Sequence, residues 1–486
     1  MYRIVLPTTA AAANTTAVAL VPSLAVVQAF PETPLKVNAE AGQSTDSLPI
    51  TSFSFDYGDG TPPDVNDFSV STHTYAAPGT YTVTVTEQDS GGTTASLSRP
   101  IVIGSPYVPV APQRLLDTRV GTGAAKAKIG ADAHVGLQVA GVDGIPTTGI
   151  TAVVLNVTAT NPTASSFLTV YPDGTTRPTA SNLNYTAGQT IPNLVTVPVG
   201  ADGKVDFYNH VGSVDVIADI EGFYRMADTP EGPSGAFQAG YLVGEAPERL
   251  LDTRDGTGAP AAPLRGGVPL SVNTLTVPNI PQNVELRGVV LNVTVTNPST
   301  SSNLTVYPDN TALPVASNLN FTAGETVSNS VIVPIALGDG LINIVNHSGT
   351  ADVIADVEGF YTEGPGGAFV PVAPTRLLDT RTGSPIGPNT VRSLAVAGAA
   401  GIPASASAAA LNVTATDANT SSFLTVYPDG AARPNASNIN FSAGQTIPNM
   451  VTASIGSDGK VDFYNHVGSV DAIADVFGYF TGFAGF

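Results

Sequence analysis

The chain has 486 residues, with 49 Gly and 39 Pro but only 12% charged side chains, so it is several domains long and rich in turns. Its 39 acidic and 19 basic residues give a formal charge of −20, which repels polyanions and argues against nucleic acid as a partner. The absence of cysteine rules out disulfides and thiolate metal sites.

At the N-terminus, residues 1–22 form a separate segment. Val18 to Ala29 is apolar and ends in Val27-Gln28-Ala29, which has the look of a small-residue cleavage site. Pro22 and Ser23 interrupt it, however, and Leu24-Ala25-Val26-Val27 reads better as a first strand. No stretch is long and apolar enough to cross a bilayer as a helix, so membrane insertion is not expected.

Residues 23–105 read as one β domain. Phe53-Ser54-Phe55-Asp56-Tyr57 runs into the turn residues Gly58-Asp59-Gly60. Further on, Tyr81, Val83 and Val85 alternate with Thr82, Thr84 and Thr86, the period of a half-buried strand. The order of that aromatic turn, His73-Thr74-Tyr75 and Pro78-Gly79-Thr80-Tyr81 resembles the PKD-type immunoglobulin-like domain. The resemblance implies a β-sandwich used as a spacer or adhesive stalk outside the cell. Phe55 stands where that family usually has Trp. Asp56, Asp59, Asp64 and Asp67 are close enough in sequence to suggest a Ca²⁺ site, although Asp in turns is more often turn chemistry.

The rest of the chain is one unit used three times. Arg-Leu-Leu-Asp-Thr-Arg occurs at 114–119, 249–254 and 376–381, and each copy ends in an Asp-x-Ile-Ala-Asp strand followed by Gly and paired aromatics. The units are 106–225, 241–362 and 369–486. Each is too long to be a solenoid element of roughly 20–50 residues, and is expected to be a domain with its own core. Short Pro/Gly-rich linkers at 225–240 and 362–368 predict close neighbours. In the first copy Val153, Leu155, Val157 and Ala159 share one face of a strand, Phe167 to Tyr171 forms the next, and Pro172-Asp173-Gly174 closes it. Many short strands with such turns predict an all-β chain: an immunoglobulin-like sandwich, then three antiparallel β-sandwich or jelly-roll modules. The signature is similar to a repeat of large bacterial surface or secreted proteins, and implies an extracellular module without a defined activity.

Several polar residues recur at matching places. They are Arg114, Asp117, Arg119, Asn209, His210, Asp215 and Asp219; then Arg249, Asp252, Arg254, Asn346, His347, Asp352 and Asp356; then Arg376, Asp379, Arg381, Asn465, His466, Asp471 and Asp475. Asn156, Asn182, Asn184 and Asn193 recur likewise. Read as structure, Asp215 and Asp219 share a strand face and Arg114 and Arg119 are their counter-charges. Read as function, Asn, Asp and Arg grip sugar hydroxyls while Tyr171 or Tyr208 stacks on a ring. One His per repeat does not make a metal site. No nucleophile elbow, phosphate loop or His-Glu-x-x-His is present, so no catalytic residue and no cofactor is assigned. The expectation is a non-catalytic extracellular or cell-surface adhesion protein, touching surface glycans or other surface proteins through several copies of one module. The rival is a virion part, such as a capsid decoration or tail-fibre component, with virion proteins as partners.

Overall fold

The computed structural model describes residues 19–29, 33–225, 239–281, 284–335, 340–364 and 366–482. Among them there are 32 strands and two short 3-10 turns. The first linker's Pro/Gly run and most of residues 1–22 lie outside the described residues. The described residues form two compact units, an N-terminal one and a larger one that holds the described residues from Ile103 to Gly482.

The N-terminal unit is a two-sheet sandwich. One sheet holds Ala25–Ala29, Thr33–Glu40 and Val70–Thr74, the other Asp64–Asn66, Ile50–Asp56, Gly79–Asp89 and Thr94–Ile103. The apolar segment 24–27 thus enters the first strand, as the sequence suggests. Phe55, fully buried, fills the place expected of Trp. The Tyr75 hydroxyl donates to the carbonyl of Tyr57 (3.0 Å) and ties the end of strand Val70–Thr74 to the aromatic turn. Asp59 meets His73 Nε2 at 2.7 Å, Asp64 accepts from Ser71, and Asp56 accepts from the amide of Gly58. These aspartates are therefore dispersed into separate local bonds. Among the described residues no three carboxylates or imidazoles converge as a metal site.

In the first repeat, strands Ile191–Pro198, Ile150–Thr160, Asp215–Arg225 and Tyr107–Asp117 form one sheet in that order. Leu183–Tyr185, Ser166–Pro172, Lys204–Asn209 and Ala133–Gln138 form the other. Numbered by appearance, the orders are 6-3-8-1 and 5-4-7-2, the connectivity of an eight-stranded jelly roll. The second and third repeats have the same order; the second adds a two-residue strand, Leu264–Arg265, beside its last strand.

The repeats are not separate beads, as their length suggested. All three lie in one compact unit and share an apolar cluster that includes Tyr107, Val154, Leu194, Val290, Ile332, Ala410, Met450 and Phe477. The reason is visible in strand 150–160. It is buried on both faces, apolar on one and mixed with Asn156, Thr158 and Thr160 on the other, and such a strand needs a second partner layer. Here the neighbouring repeats supply it. The contacts permute cyclically. Tyr107 bridges Gly240, Leu242 bridges Gly367, and Phe369 bridges Ser105, with matching residues of the repeats exchanged each time. Head-to-tail contacts that close after three steps make a ring with a pseudo-threefold axis. The second linker is built into this ring: Gly367 exchanges backbone bonds with Leu242 at 2.7 and 2.9 Å, and Ala368 is fully buried. At one end of the ring Tyr224 and Tyr361 join hydroxyls at 2.6 Å, and Tyr224 stacks on Phe369. Gly222 permits this crowding, because a Cβ there would run into the ring of Tyr107.

Candidate functional site

The signature strand pairs with the last strand of its own repeat, in a register that sets Arg114 opposite Asp219, Arg249 opposite Asp356 and Arg376 opposite Asp475. Arg114 reaches Asp219 with two nitrogens, at 2.8 and 3.1 Å, and a third approaches Asp117 Oδ2 at 3.5 Å. Arg119 does not serve Asp215. It folds back onto Asp117, donating Nε at 2.9 Å, Nη2 at 2.7 Å and its amide at 3.0 Å. Its side chain is too close in sequence to Asp117 to reach past it, and the two-residue fork satisfies both charges. Arg254 and Arg381 bind Asp252 and Asp379 in the same way.

Thr118 takes the role expected of the second arginine. Its hydroxyl donates to Asp215 Oδ1 at 3.2 Å and accepts the amide of Val216 at 3.0 Å. Asn161 Nδ2 donates to the other oxygen of Asp215. Asp352 and Asp471 meet Thr253 and Thr380 likewise. The two leucines complete the motif: Leu115 and Leu116 are buried in the first repeat, Leu250 and Leu251 in the second.

Asn209 is a loop staple. Its Nδ2 donates to the carbonyls of Ile129, Gly130 and Gly212 at 3.0–3.1 Å, and its Oδ1 accepts from Tyr185 and Ser166. Asn346 and Asn465 repeat the pattern. The histidines differ. His210 stacks on Phe167 and His466 on Phe423, both exposed on the outer sheet, whereas His347 turns to the hydroxyl of Thr305 at 3.0 Å.

Charge and burial set the acidity of these groups. The Arg119 fork holds Asp117 below the ordinary carboxylate range, and Arg254 does the same for Asp252. Arg381 lowers Asp379 to about 2. Burial raises Asp219, and raises Asp356 to about 6, with the arginines opposing it. Asp219 and Asp475 each accept two nitrogens of one arginine, Asp215 accepts from Thr118 and Asn161, and Asp356 keeps one buried oxygen without a hydrogen-bond partner.

Recurrent asparagines join the repeats to one another. Asn193 Nδ2 donates to Asn412, Asn329 to Asn156, and Asn449 to Asn292, each at 2.8 Å. In turn Asn156 donates to the carbonyl of Ser317, Asn292 to Ser437 and Asn412 to Ser181. Glu221 was not singled out at all. It is 1% exposed and crosses into the second repeat, accepting from Asn318 Nδ2 (2.7 Å) and the amide of Ile332 (2.9 Å). Glu358 does the same toward Asn438 and Thr452 of the third repeat. Burial raises both acids to about 8. A polar residue inside a strand apolar on both faces is the sequence signal that could have found them.

Residues 25–103 match the PKD domain family. A solved PKD1 domain from the Vibrio cholerae metalloprotease PrtV is 26% identical, covering 18% of this chain and 98% of that one at a TM-score of 0.15. A carbohydrate-binding module of the beta-sandwich superfamily is 13% identical over 42% of this chain and 98% of its own, with a TM-score of 0.19. A protein described as a triple jelly roll fold in an archaeal virus turret assembly is 10% identical over 84% and 90%, at 0.17. At such scores these likenesses say nothing about activity. None of the curated proteins is a detectable relative.

Proposed function

We propose that the chain is a non-catalytic surface protein, in which the PKD domain serves as a spacer and the three fused jelly rolls serve as one rigid body for adhesion or display outside the cell. The observation that supports this reading is the fate of the repeated charges. The side chains best suited to chemistry are consumed in holding strands and repeats together. What they leave for partners is the surface of the ring, where glycans are the natural class for exposed histidine and arginine side chains backed by half-buried aromatic rings. The reading requires no cofactor. A second reading, a virion component, is favoured by one feature: three jelly rolls closed about a pseudo-threefold axis, a sandwich type found in capsid and lectin domains alike.

The test uses the whole purified chain on bacterial cells, on immobilised glycans and on polysaccharide, peptide and ester substrates. Binding without turnover supports the reading. Turnover that Asp215→Asn abolishes would overturn it. Particles that carry the chain as a stoichiometric component would favour the virion reading.

A further inference from the structure

The second sheet of the first repeat carries a surface cluster that the internal bonding does not use up: Arg177 and His210 are exposed, Phe167 is half-buried and Tyr208 is buried beneath Arg177. Arg177 lies flat over the ring of Tyr208, 3.6 Å from its centroid, and no carboxylate among the described residues forms an ion pair with it. The Tyr208 hydroxyl donates to Asp132 (2.5 Å) and lies 3.2 Å from His210 Nδ1. His210 in turn stacks on Phe167 at 4.8 Å. The imidazole side chain is 47% exposed and Asp132 76%, so one imidazole face and one carboxylate oxygen are open to solvent.

The third repeat rebuilds the cluster. Arg433 lies over Tyr464, Tyr464 donates to Asn389 at 2.8 Å, and His466 stacks on Phe423. In the second repeat four of the five positions change together: Asn303 replaces the Phe, Val345 the Tyr, Leu313 the Arg and Gly267 the Asp or Asn. Gly267 is informative. Asp132 and Asn389 have φ of 51° and Gly267 has 74°, so the same left-handed turn occurs in all three. Glycine adopts it without strain, and so the turn itself does not need the polar side chain kept in repeats one and three.

We infer that this outer face, in the first and third repeats only, is a saccharide-binding site. A hexose presents apolar C–H faces and edges of paired hydroxyls. Here stacked aromatic and imidazole rings meet the first, while a guanidinium donor and an amide or carboxylate acceptor meet the second. The guanidinium is held flat by the tyrosine ring, so little of its freedom remains to be lost on binding. Asp132 in one site and Asn389 in the other offer the same acceptor geometry with different charge, which fits a neutral sugar. The inference rests on the surface-contacting reading above and narrows it to two sites per chain.

The five histidines give the readout. The full chain is titrated with neutral gluco-, manno- and galacto-oligosaccharides while the histidine ring carbons are followed by NMR. His210 and His466 should shift together while His347 and His73 stay; His134, opposite Tyr208 in the ladder, belongs to the first site and does not serve as a control. The exposed double change Arg177→Ala with Arg433→Ala should weaken binding by at least about tenfold, the worth of one good hydrogen-bonding group, with an unchanged melting temperature. Saccharide binding that leaves His210 and His466 unmoved overturns the site but keeps the surface reading. No response to any of the sugars also overturns the site; binding of the unmodified chain to bacterial cells, measured in parallel, then decides whether the surface reading survives.

Discussion

All three seams of the ring carry asparagine bonds, but only two of them also carry a buried glutamate. Between repeats one and two, and between two and three, a buried glutamate crosses to an asparagine and a backbone amide. Between repeats three and one the matching residue is Phe477, 1% exposed and part of the shared apolar cluster. Asn182, which matches Asn318 and Asn438, is left with a buried Nδ2 that has no partner. The arginines follow the same division. Arg114 and Arg249 each donate Nη2 to a carbonyl of the next repeat, of Val315 and Asn435, while Arg376 gives its Nη2 to Asp475. The lesson is that one backbone arrangement accepts two ways of filling a seam. A buried acid costs desolvation and is repaid by directed bonds; an aromatic ring gains burial and orphans one amide.

The largest expected effect lies at the arginines. Arg249→Ala leaves Asp356 buried without its counter-charge and should destabilise the body by about 3–5 kcal/mol. Arg376 is more exposed, 36% against 20%, and reaches no neighbouring carbonyl, so Arg376→Ala should cost clearly less. Calorimetric melting of both variants checks the order, and equal losses would break the distinction between seams.

Next comes the aromatic seam. Phe477→Ala should cost about 3–5 kcal/mol through lost burial and a cavity. Phe477→Glu restores the acid opposite Asn182 and should be the milder change at pH 5. A glutamate variant less stable than the alanine one there would show that the seams are not interchangeable.

Acidity sharpens the contrast further. Glu221 and Glu358 are raised to about 8 in the folded chain, above their ordinary value of 4.5. A raised folded value means that the folded state binds protons the unfolded state does not. The stability this contributes is fully present below about 4.5 and is lost as pH rises through about 8. The melting temperature should therefore rise as pH falls from 8 to 5. Glu221→Gln with Glu358→Gln should reduce that slope, leaving the part due to Asp356, which is raised to about 6 and acts in the same direction. Asp379, lowered to about 2, acts only in more acidic solution and does not interfere in this window.

The smallest effect belongs to the asparagines. Asn182 and Asn318 both accept a backbone amide at 2.7 Å, from Val170 and Val306, but only Asn318 also serves a glutamate. Asn318→Ala should cost more than Asn182→Ala by about 1–3 kcal/mol, the price of one more orphaned buried group. Urea melts of the pair measure the gap.

Much of this fold is legible in the sequence. The three signatures mark equal units, and strand 150–160 and its turn partners follow from alternation and from Pro-Asp-Gly. The pairing of Arg114 with Asp219 follows from opposite charge at the two ends of a unit. Arg119 was misassigned because a local fork with Asp117 competes with any distant partner, and spacing alone does not weigh the two. The ring escaped notice for a different reason. Residues that face a sister repeat, such as Val154 and Leu194, look the same in sequence as residues that face the repeat's own core. Only polar residues stranded on such a face, Asn156, Asn193 and Glu221, hold the information.

The closed ring also sets an order of events during synthesis. Asn193 waits for Asn412, and its Oδ1 for the amide of Met450, 257 residues later. At roughly 5–20 residues per second the ribosome needs about 13–50 s to supply that partner. For that interval the first repeat holds out the strand face that Val154 and Leu194 later bury, with nothing yet made to cover it. The apolar surfaces that make the finished body rigid thus make the nascent chain adhesive toward its own neighbours until the third repeat is made.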